Sequence, residues 1–484
     1  MISFEDYASH DGLGLADLVA RKDVTAKELA DTALAAIEKV NPTINAVIQT
    51  VPEQAEATIK AGLPNGPFAG VPFLIKEIVL HAKDIKCEMG CALAKGMAPS
   101  ADTELMSRFR RAGLVLVGTT QTPELGYSPT TEPRFYGPVH NPWDTGRSPG
   151  GSSGGSSAAV AAGIVPVAHA NDGGGSIRIP ASCNGLVGLK PTRHRIPAGP
   201  DYGELLFGLA IEFAVTRSVR DAAALLDAVA GADVGAPGLP VPPSDSYSKV
   251  VSKPPKPLKI AWTTRPASGA SADPDCATAV RETVRLLEGL GHTLVEDAPR
   301  YDWDAFLAST HILWMAFLAS GVHDIAAATG RTPSLDNLEA VTLASYEEGK
   351  RYTVVDLIGA LGHQNTVCRQ VSAFFETVDL LLTPTTAQVA PPLGEINQNR
   401  AGMTPTEWTR QVFSFCPFTP VFNTTGQPAI SVPLHYTESG LPVGVQFAGR
   451  FGDEATLLQL AAQLEQARPW KNRRPHVHVT ANRG

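Results

Sequence analysis

The sequence predicts an α/β protein, layered around a mixed and largely buried β-sheet. Two observations carry this. Short, nearly unbroken apolar runs of strand length recur along the chain, as in strands covered on both faces. Between them stand longer segments whose apolar residues repeat at helical spacing. That alternation packs helices onto a sheet.

Taken in order, residues 24–40 form an amphipathic helix, with Thr25 and Glu28 as a capping box and Asn41-Pro42 as its stop. Strands are expected over 46–49 and over 69–75, the second running into Lys76. Residues 114–117 form another, followed by Gly118-Thr119-Thr120, and 164–168 a short buried one. Strands over 258–262 and 380–382 and helices over 221–229, 276–290, 354–378 and 454–465 complete the pattern. The stretch 235–257 holds Pro237, Pro240, Pro242, Pro243, Pro254, Pro255 and Pro257. It reads as a surface excursion within one domain spanning 1–484, with 472–484 as a tail.

At 484 residues, 43% apolar and 18% charged, the chain has the composition of a folded globular protein. A formal net charge of −8 argues against nucleic acid or an anionic membrane as the main partner. The start carries Glu5, Asp6, Asp11 and Asp17 and no apolar run, so no signal peptide is expected. Nor is any stretch expected to span a membrane. The cysteines (Cys87, Cys91, Cys183, Cys276, Cys368, Cys416) are scattered, which fits reduced thiols in a cytoplasmic protein. Cys87 and Cys91 lack a second pair at metal-finger spacing and read as buried thiols.

Chemistry concentrates in two glycine–serine clusters. The first is Ser148-Pro149-Gly150-Gly151-Ser152-Ser153-Gly154-Gly155-Ser156-Ser157; the second is Asn171-Asp172-Gly173-Gly174-Gly175-Ser176-Ile177-Arg178-Ile179-Pro180. Ser176 could be a turn or cap serine before a short helix. Three glycines directly before it also suit a backbone nest, whose N–H groups at Gly173, Gly174, Gly175 and Ser176 would hold an oxyanion. Each such donor contributes about 10²–10³ in rate. Lys76 could snorkel to solvent or pair with Glu77. As a base it must be neutral, which the apolar approach Val71-Pro72-Phe73-Leu74-Ile75 would favour through desolvation. Ser152 could merely bond a turn, or relay a proton, since its hydroxyl both donates and accepts.

Gly151-Ser152-Ser153-Gly154-Gly155 also satisfies the nucleophile-elbow pattern with Ser153 as nucleophile, but loop residues rather than a strand precede it. No Gly-Lys-Ser/Thr follows the glycines, so a phosphate loop ranks lower still. His169, His476 and His478 show no metal-helix spacing and read as core or surface histidines.

The chain resembles the amidase signature family. The matching pieces are Gly70-Val71-Pro72-Phe73-Leu74-Ile75-Lys76, the two clusters, and Gly188-Leu189-Lys190-Pro191-Thr192. Asn423-Thr424-Thr425-Gly426-Gln427-Pro428-Ala429-Ile430-Ser431-Val432-Pro433 and Gly440-Leu441-Pro442-Val443-Gly444-Val445-Gln446 extend the likeness over nearly the whole chain. The resemblance implies the amidase-signature fold, a mixed twisted β-sheet covered on both faces by α-helices. It also implies a Ser–cisSer–Lys triad, with Ser176 as nucleophile, Ser152 as bridging serine after a cis peptide, and Lys76 as base. The implied oxyanion site is Gly173, Gly174 and Gly175 with Ser176. Ser153, Asp172 and Arg178 would support the site, and Gly126 and Tyr127 would touch substrate. Two positions depart from the family pattern: Gly173 stands where threonine or isoleucine is frequent, and Glu77 where aspartate is commoner.

Within that family, Ala170-Asn171-Asp172 and Ile179-Pro180-Ala181-Ser182 look like aryl-acylamidases and 6-aminohexanoate cyclic dimer hydrolases rather than amidotransferase subunits. The expected activity is hydrolysis of a small-molecule carboxamide, with ester or carbamate as side activities, through an acyl-enzyme and with no cofactor and no metal. Tyr127, Phe135 and Tyr136, with Trp314, Phe317, Phe413, Phe415 and Phe418, are candidate pocket aromatics whose alternative is core packing. The oligomeric state stays open, a homodimer included. Two rivals remain: a histidine-based esterase acting through Ser153, and a non-catalytic or amidotransferase-type subunit of a larger assembly.

Overall fold

The computed structural model describes residues 2–481, and within them eleven strands form one sheet. In chain order they are β1 (Val47–Thr50), β2 (Pro72–Lys76), β3 (Val115–Thr120), β4 (Val167–Asp172), β5 (Val187–Lys190) and β6 (Ile211–Thr216). β7 (Lys259–Trp262), β8 (Thr293–Glu296), β9 (Leu380–Pro384), β10 (Ala429–Tyr436) and β11 (Pro442–Gly449) follow. The spatial order is β1-β3-β2-β4-β6-β5-β10-β11-β9-β7-β8. β2 runs parallel to β3 and β4, and β7 parallel to β8 and β9, while the other neighbours are antiparallel. The predicted mixed α/β sheet, flanked by helices, is therefore what forms. β2 to β6, β9 and β11 are buried along their whole length.

The helix Ala26–Ile44 opens on the expected Thr25–Glu28 capping box but does not stop at Asn41-Pro42. Pro42 sits in its last turn, where one missing N–H costs a single bond. The Asn41 side chain then accepts from Ala46 and Val47 N–H, both at 2.8 Å, and turns the chain into β1. β4 is displaced from the expected 164–168: it runs on through His169, Asn171 and Asp172, all buried. The Pro-rich stretch is exposed at Leu239 and Val241. It contains a short helix, Tyr247–Val250, tied down by Asp227, which accepts the Tyr247 N–H at 2.7 Å.

Two expectations are corrected. Residues 472–481 are not a loose tail: Val479 is buried and donates to Ala162 O at 2.9 Å, and Val477 donates to Pro142 O at 3.0 Å. Residues 482–484 lie outside the described residues. One stretch does reach membrane length. Helix Trp303–Thr329 has 27 residues and a window of mean hydropathy 1.6, enough to cross a membrane by length and composition. Here 44% of that window is buried, and the helix packs on helices Ala340–Gly349 and Val354–Phe374.

Candidate active site

The site forms where β2 and β4 end. Because they are parallel, with Leu74 opposite Ala168, both finish at the same edge of the sheet. Lys76 is the last residue of β2, and Asn171 and Asp172 are the last two of β4. The first glycine–serine cluster passes this edge with a cis peptide between Gly151 and Ser152, then enters the buried helix Gly154–Ala161. Its glycines serve close packing: a Cβ on Gly151 would lie 2.5 Å from Thr130 O, and one on Gly155 2.5 Å from Gln121 O. Ser152 and Ser153 are thereby pressed against β2.

Lys76 is fully buried and neither snorkels nor pairs with Glu77. Its Nζ lies 2.7 Å from Ser152 Oγ, 3.0 Å from Ser153 Oγ and 2.6 Å from Asn171 Oδ1. Burial penalises the ammonium and pulls its pKa down to about 7, against the opposing pull of Glu212 and Asp172. Glu77 turns away, accepting the N–H groups of Gly90 at 2.8 Å and Glu88 at 3.1 Å, and burial raises it to about 8. His169 is a buried core histidine. Its Nδ1 accepts the Lys76 backbone N–H at 3.3 Å, so Nε2 carries the proton toward Glu212, at 2.5 Å.

Asp172 and Arg178 come together as a buried bidentate pair, at 2.9 and 2.8 Å. Burial pushes the Asp172 carboxyl up, but the Arg178 charge and hydrogen bonds, with those of Asn423, hold it down at about 2. Arg178 also reaches Thr419 O and the Gln446 and Asn423 side chains. This fixes the loop between them. One expected oxyanion donor is corrected: the Gly175 N–H is already given to Asp172 Oδ1 at 2.7 Å, and Ile177 N–H to Oδ2 at 3.2 Å. Among the described residues the N–H groups of Gly173, Gly174 and Ser176 have no acceptor.

Ser176 lines a cavity together with Gly126, Tyr127, Gly174, Ile179, Trp314, Trp408 and Phe413. Ser152 stands beside the lining residue Gly126, a Cβ on which would lie 3.5 Å from its Oγ. A hydrogen bond between Ser152 and Ser176 is not among those made by the described residues. Trp314 and Phe413 of the candidate aromatics face this space, whereas Phe317, Phe415 and Phe418 do not line it. Phe135 and Tyr136 pair with each other, and the Tyr136 hydroxyl goes to Glu88 at 2.5 Å. Among the described residues no ionisable acid or base lines the cavity apart from the Tyr127 phenol and Cys416 thiol, both raised by burial.

Three contributors escaped the sequence reading. Asn171 carries no signal beyond its place before Asp172; Glu212 hides in an apolar run, Ile-Glu-Phe-Ala-Val-Thr; Trp408 sits mid-helix in Pro405–Phe415, its Nε1 donating to Tyr127 O at 3.2 Å. No histidine hydrogen-bonds to Ser153 among the described residues, as the esterase reading requires.

The sequence profile of the amidase family matches residues 28–458. The chain is 37% identical over 482 residues to the 6-aminohexanoate-cyclic-dimer hydrolase of Paenarthrobacter ureafaciens, covering 96% of each. It is 38% identical over 477 residues to the putative amidase AmiC of Mycobacterium leprae, covering 95% of each. Among solved structures, 6-aminohexanoate cyclic dimer hydrolase complexed with substrate superposes with a TM-score of 0.92 at 36% identity, over 97% of this chain and 99% of that one. A bacterial aryl acylamidase of the amidase signature family shares the fold, with a TM-score of 0.86 at 24% identity over 98% and 99%.

Proposed function

This chain belongs to the amidase family, and from that premise we propose that it hydrolyses neutral carboxamides through an acyl-enzyme on Ser176. The observation that carries the reading is the buried Lys76 amine, 2.7 Å from Ser152 Oγ beside the cavity that Ser176 lines. Neutral Lys76 takes the Ser152 proton as Ser152 takes that of Ser176. The Ser176 oxygen attacks the carbonyl carbon, and the open N–H groups of Gly173, Gly174 and Ser176 hold the oxyanion. The proton returns through Ser152 to the leaving amine. Water then repeats the cycle and releases the acid. The Ser152–Ser176 contact is of the kind that tightens when substrate binds.

The walls favour an apolar acyl group. Tyr127 and Trp314 pack tilted at 5.4 Å between ring centroids, Tyr127 and Trp408 at 6.2 Å, and among the described residues no carboxylate, lysine or arginine lines the space to pair with a charged substrate. Similarity to the cyclic dimer hydrolase supports uncharged aliphatic oligoamides, and the aromatic walls equally receive aryl amides. Labelling with a broad fluorophosphonate probe and mapping the modified peptide tests the nucleophile. The expected label is on Ser176; a label on Ser153 instead would overturn the reading.

A further inference from the structure

A neutral amine has two N–H bonds and one lone pair, yet Lys76 Nζ has three oxygen neighbours, so one contact must differ in kind. Asn171 Oδ1, at 2.6 Å, can only accept. The amide cannot be turned over, because Nδ2 donates to Ile78 O at 3.1 Å and two carbonyl oxygens cannot share a hydrogen bond. One N–H of Lys76 is therefore committed to Asn171. Ser153 takes the other: its hydroxyl proton goes to Asn171 O at 3.3 Å, leaving its oxygen to accept at 3.0 Å. Only the lone pair remains for the Ser152 hydroxyl, 2.7 Å away.

Resting on the reading of Lys76 as base, we infer that Asn171 is a positioning residue that aims the Lys76 lone pair at the Ser152 hydroxyl. No proton passes through Asn171. As the Ser152 O–H bond breaks, an N–H bond forms on Lys76, and the Ser152 oxygen receives the proton of Ser176. The ammonium then has three N–H groups and the same three oxygens to meet them. One cage thus satisfies both protonation states without rearrangement.

Few charged groups face this amine. Glu212 on β6 and Asp172 on β4 favour the ammonium, and Asp172 is itself paired with Arg178. The His169 ring on β4 meets the Lys76 backbone, and Glu77 is turned to the 88–90 loop. β3 and helix Gly154–Ala161 carry no ionisable side chain, and helix Ala26–Ile44 buries only apolar residues and Thr32.

The test is the rate of Ser176 labelling by a fluorophosphonate, measured against pH on the full chain. Wild type should show a rise through neutral pH. In Asn171→Asp a carboxylate replaces the acceptor, so the midpoint should move alkaline by at least ~1 pH unit. In Asn171→Ala the amine is free to turn: the plateau rate should fall about tenfold with no alkaline shift. A midpoint unmoved in Asn171→Asp overturns the inference. Should that variant not fold, Asn171→Ala at the wild-type plateau overturns it as well. Wild-type labelling that is flat with pH, or Lys76→Ala labelling at the wild-type rate, would instead remove the lysine-base reading and this inference with it.

Discussion

Asp172 closes β4 and Arg178 opens the next helix, and their two parallel hydrogen bonds, at 2.9 and 2.8 Å, clasp the ends of the loop that carries Ser176. Neither side chain touches the cavity. Their effect on chemistry is to hold the shape of the five residues between them.

Removing one partner leaves the other charge buried and unpaired, which costs about 3–5 kcal/mol. Arg178→Leu should therefore lower the unfolding free energy read from a urea titration by that amount and abolish turnover. Asp172 is held below the ordinary carboxyl range, so the pair stabilises the fold above about pH 4 and is lost as pH falls through about 2. The variant's deficit should accordingly shrink in acid. A deficit independent of pH would mean that the ion pair is not its cause.

The proposed mechanism makes Lys76 the source of the pH dependence. Its pKa is lowered to about 7 and the mechanism needs the neutral amine, so kcat/KM should rise about tenfold per pH unit below that value and level off above it. Lys76→Ala should lose the activity altogether. A profile flat from pH 5 to 9 would contradict a titrating lysine.

How far the site was legible follows from what each residue had to signal. The apolar run into Lys76 is a local pattern and forms the expected strand; the glycines before Ser176 are equally visible, but that Gly175 gives its N–H to Asp172 is not. In sequence β4 looks shorter than it is because His169, Asn171 and Asp172 resemble loop residues, yet each is buried and satisfied by a partner distant in sequence. Local pattern and fold disagree there because the residues are spent on the site. Helix Trp303–Thr329 was missed for the opposite reason: apolar residues on most of its faces leave little helical period to detect. The hairpin of β10 and β11 was quoted only as motif, although its buried alternating partners form the middle of the sheet. The glycines of the first cluster match a nucleophile-elbow pattern in sequence, whereas their cause is close contact with Thr130 and Gln121, which no local pattern shows.

The glycines at 174 and 175 should behave differently. Gly175 has φ +135°, and a Cβ there would lie 2.4 Å from Thr419 Oγ1, whose hydroxyl is bonded to Gly174 O at 2.7 Å. Gly175→Ala should displace the loop, lower the melting temperature and cut kcat at least ~100-fold. A Cβ on Gly174 would meet nothing within 4 Å, so Gly174→Ala should melt close to wild type. Equal melting losses in both would place the constraint elsewhere than at Thr419.

Trp314 ties the cavity wall to the loop. Its ring packs against Tyr127, tilted by 33°, and a Cβ on Gly173 would lie 3.2 Å from it. The indole and Leu206, each 3.2 Å from that Cβ position, fill the space a side chain at 173 would need. Truncation in Trp314→Ala removes apolar surface that a bulky acyl group would cover. At about 1.4 kcal/mol per decade, losing that burial should lower kcat/KM about 10- to 100-fold for amides of large apolar acids. Acetyl amides, too short to reach the indole, should change less than about threefold, and the pH profile should stay in place. An equal loss for both substrate sizes would show that the indole acts by steadying Gly173 and its open N–H rather than by touching the acyl group. Measuring the two series on one variant therefore separates a wall from a brace.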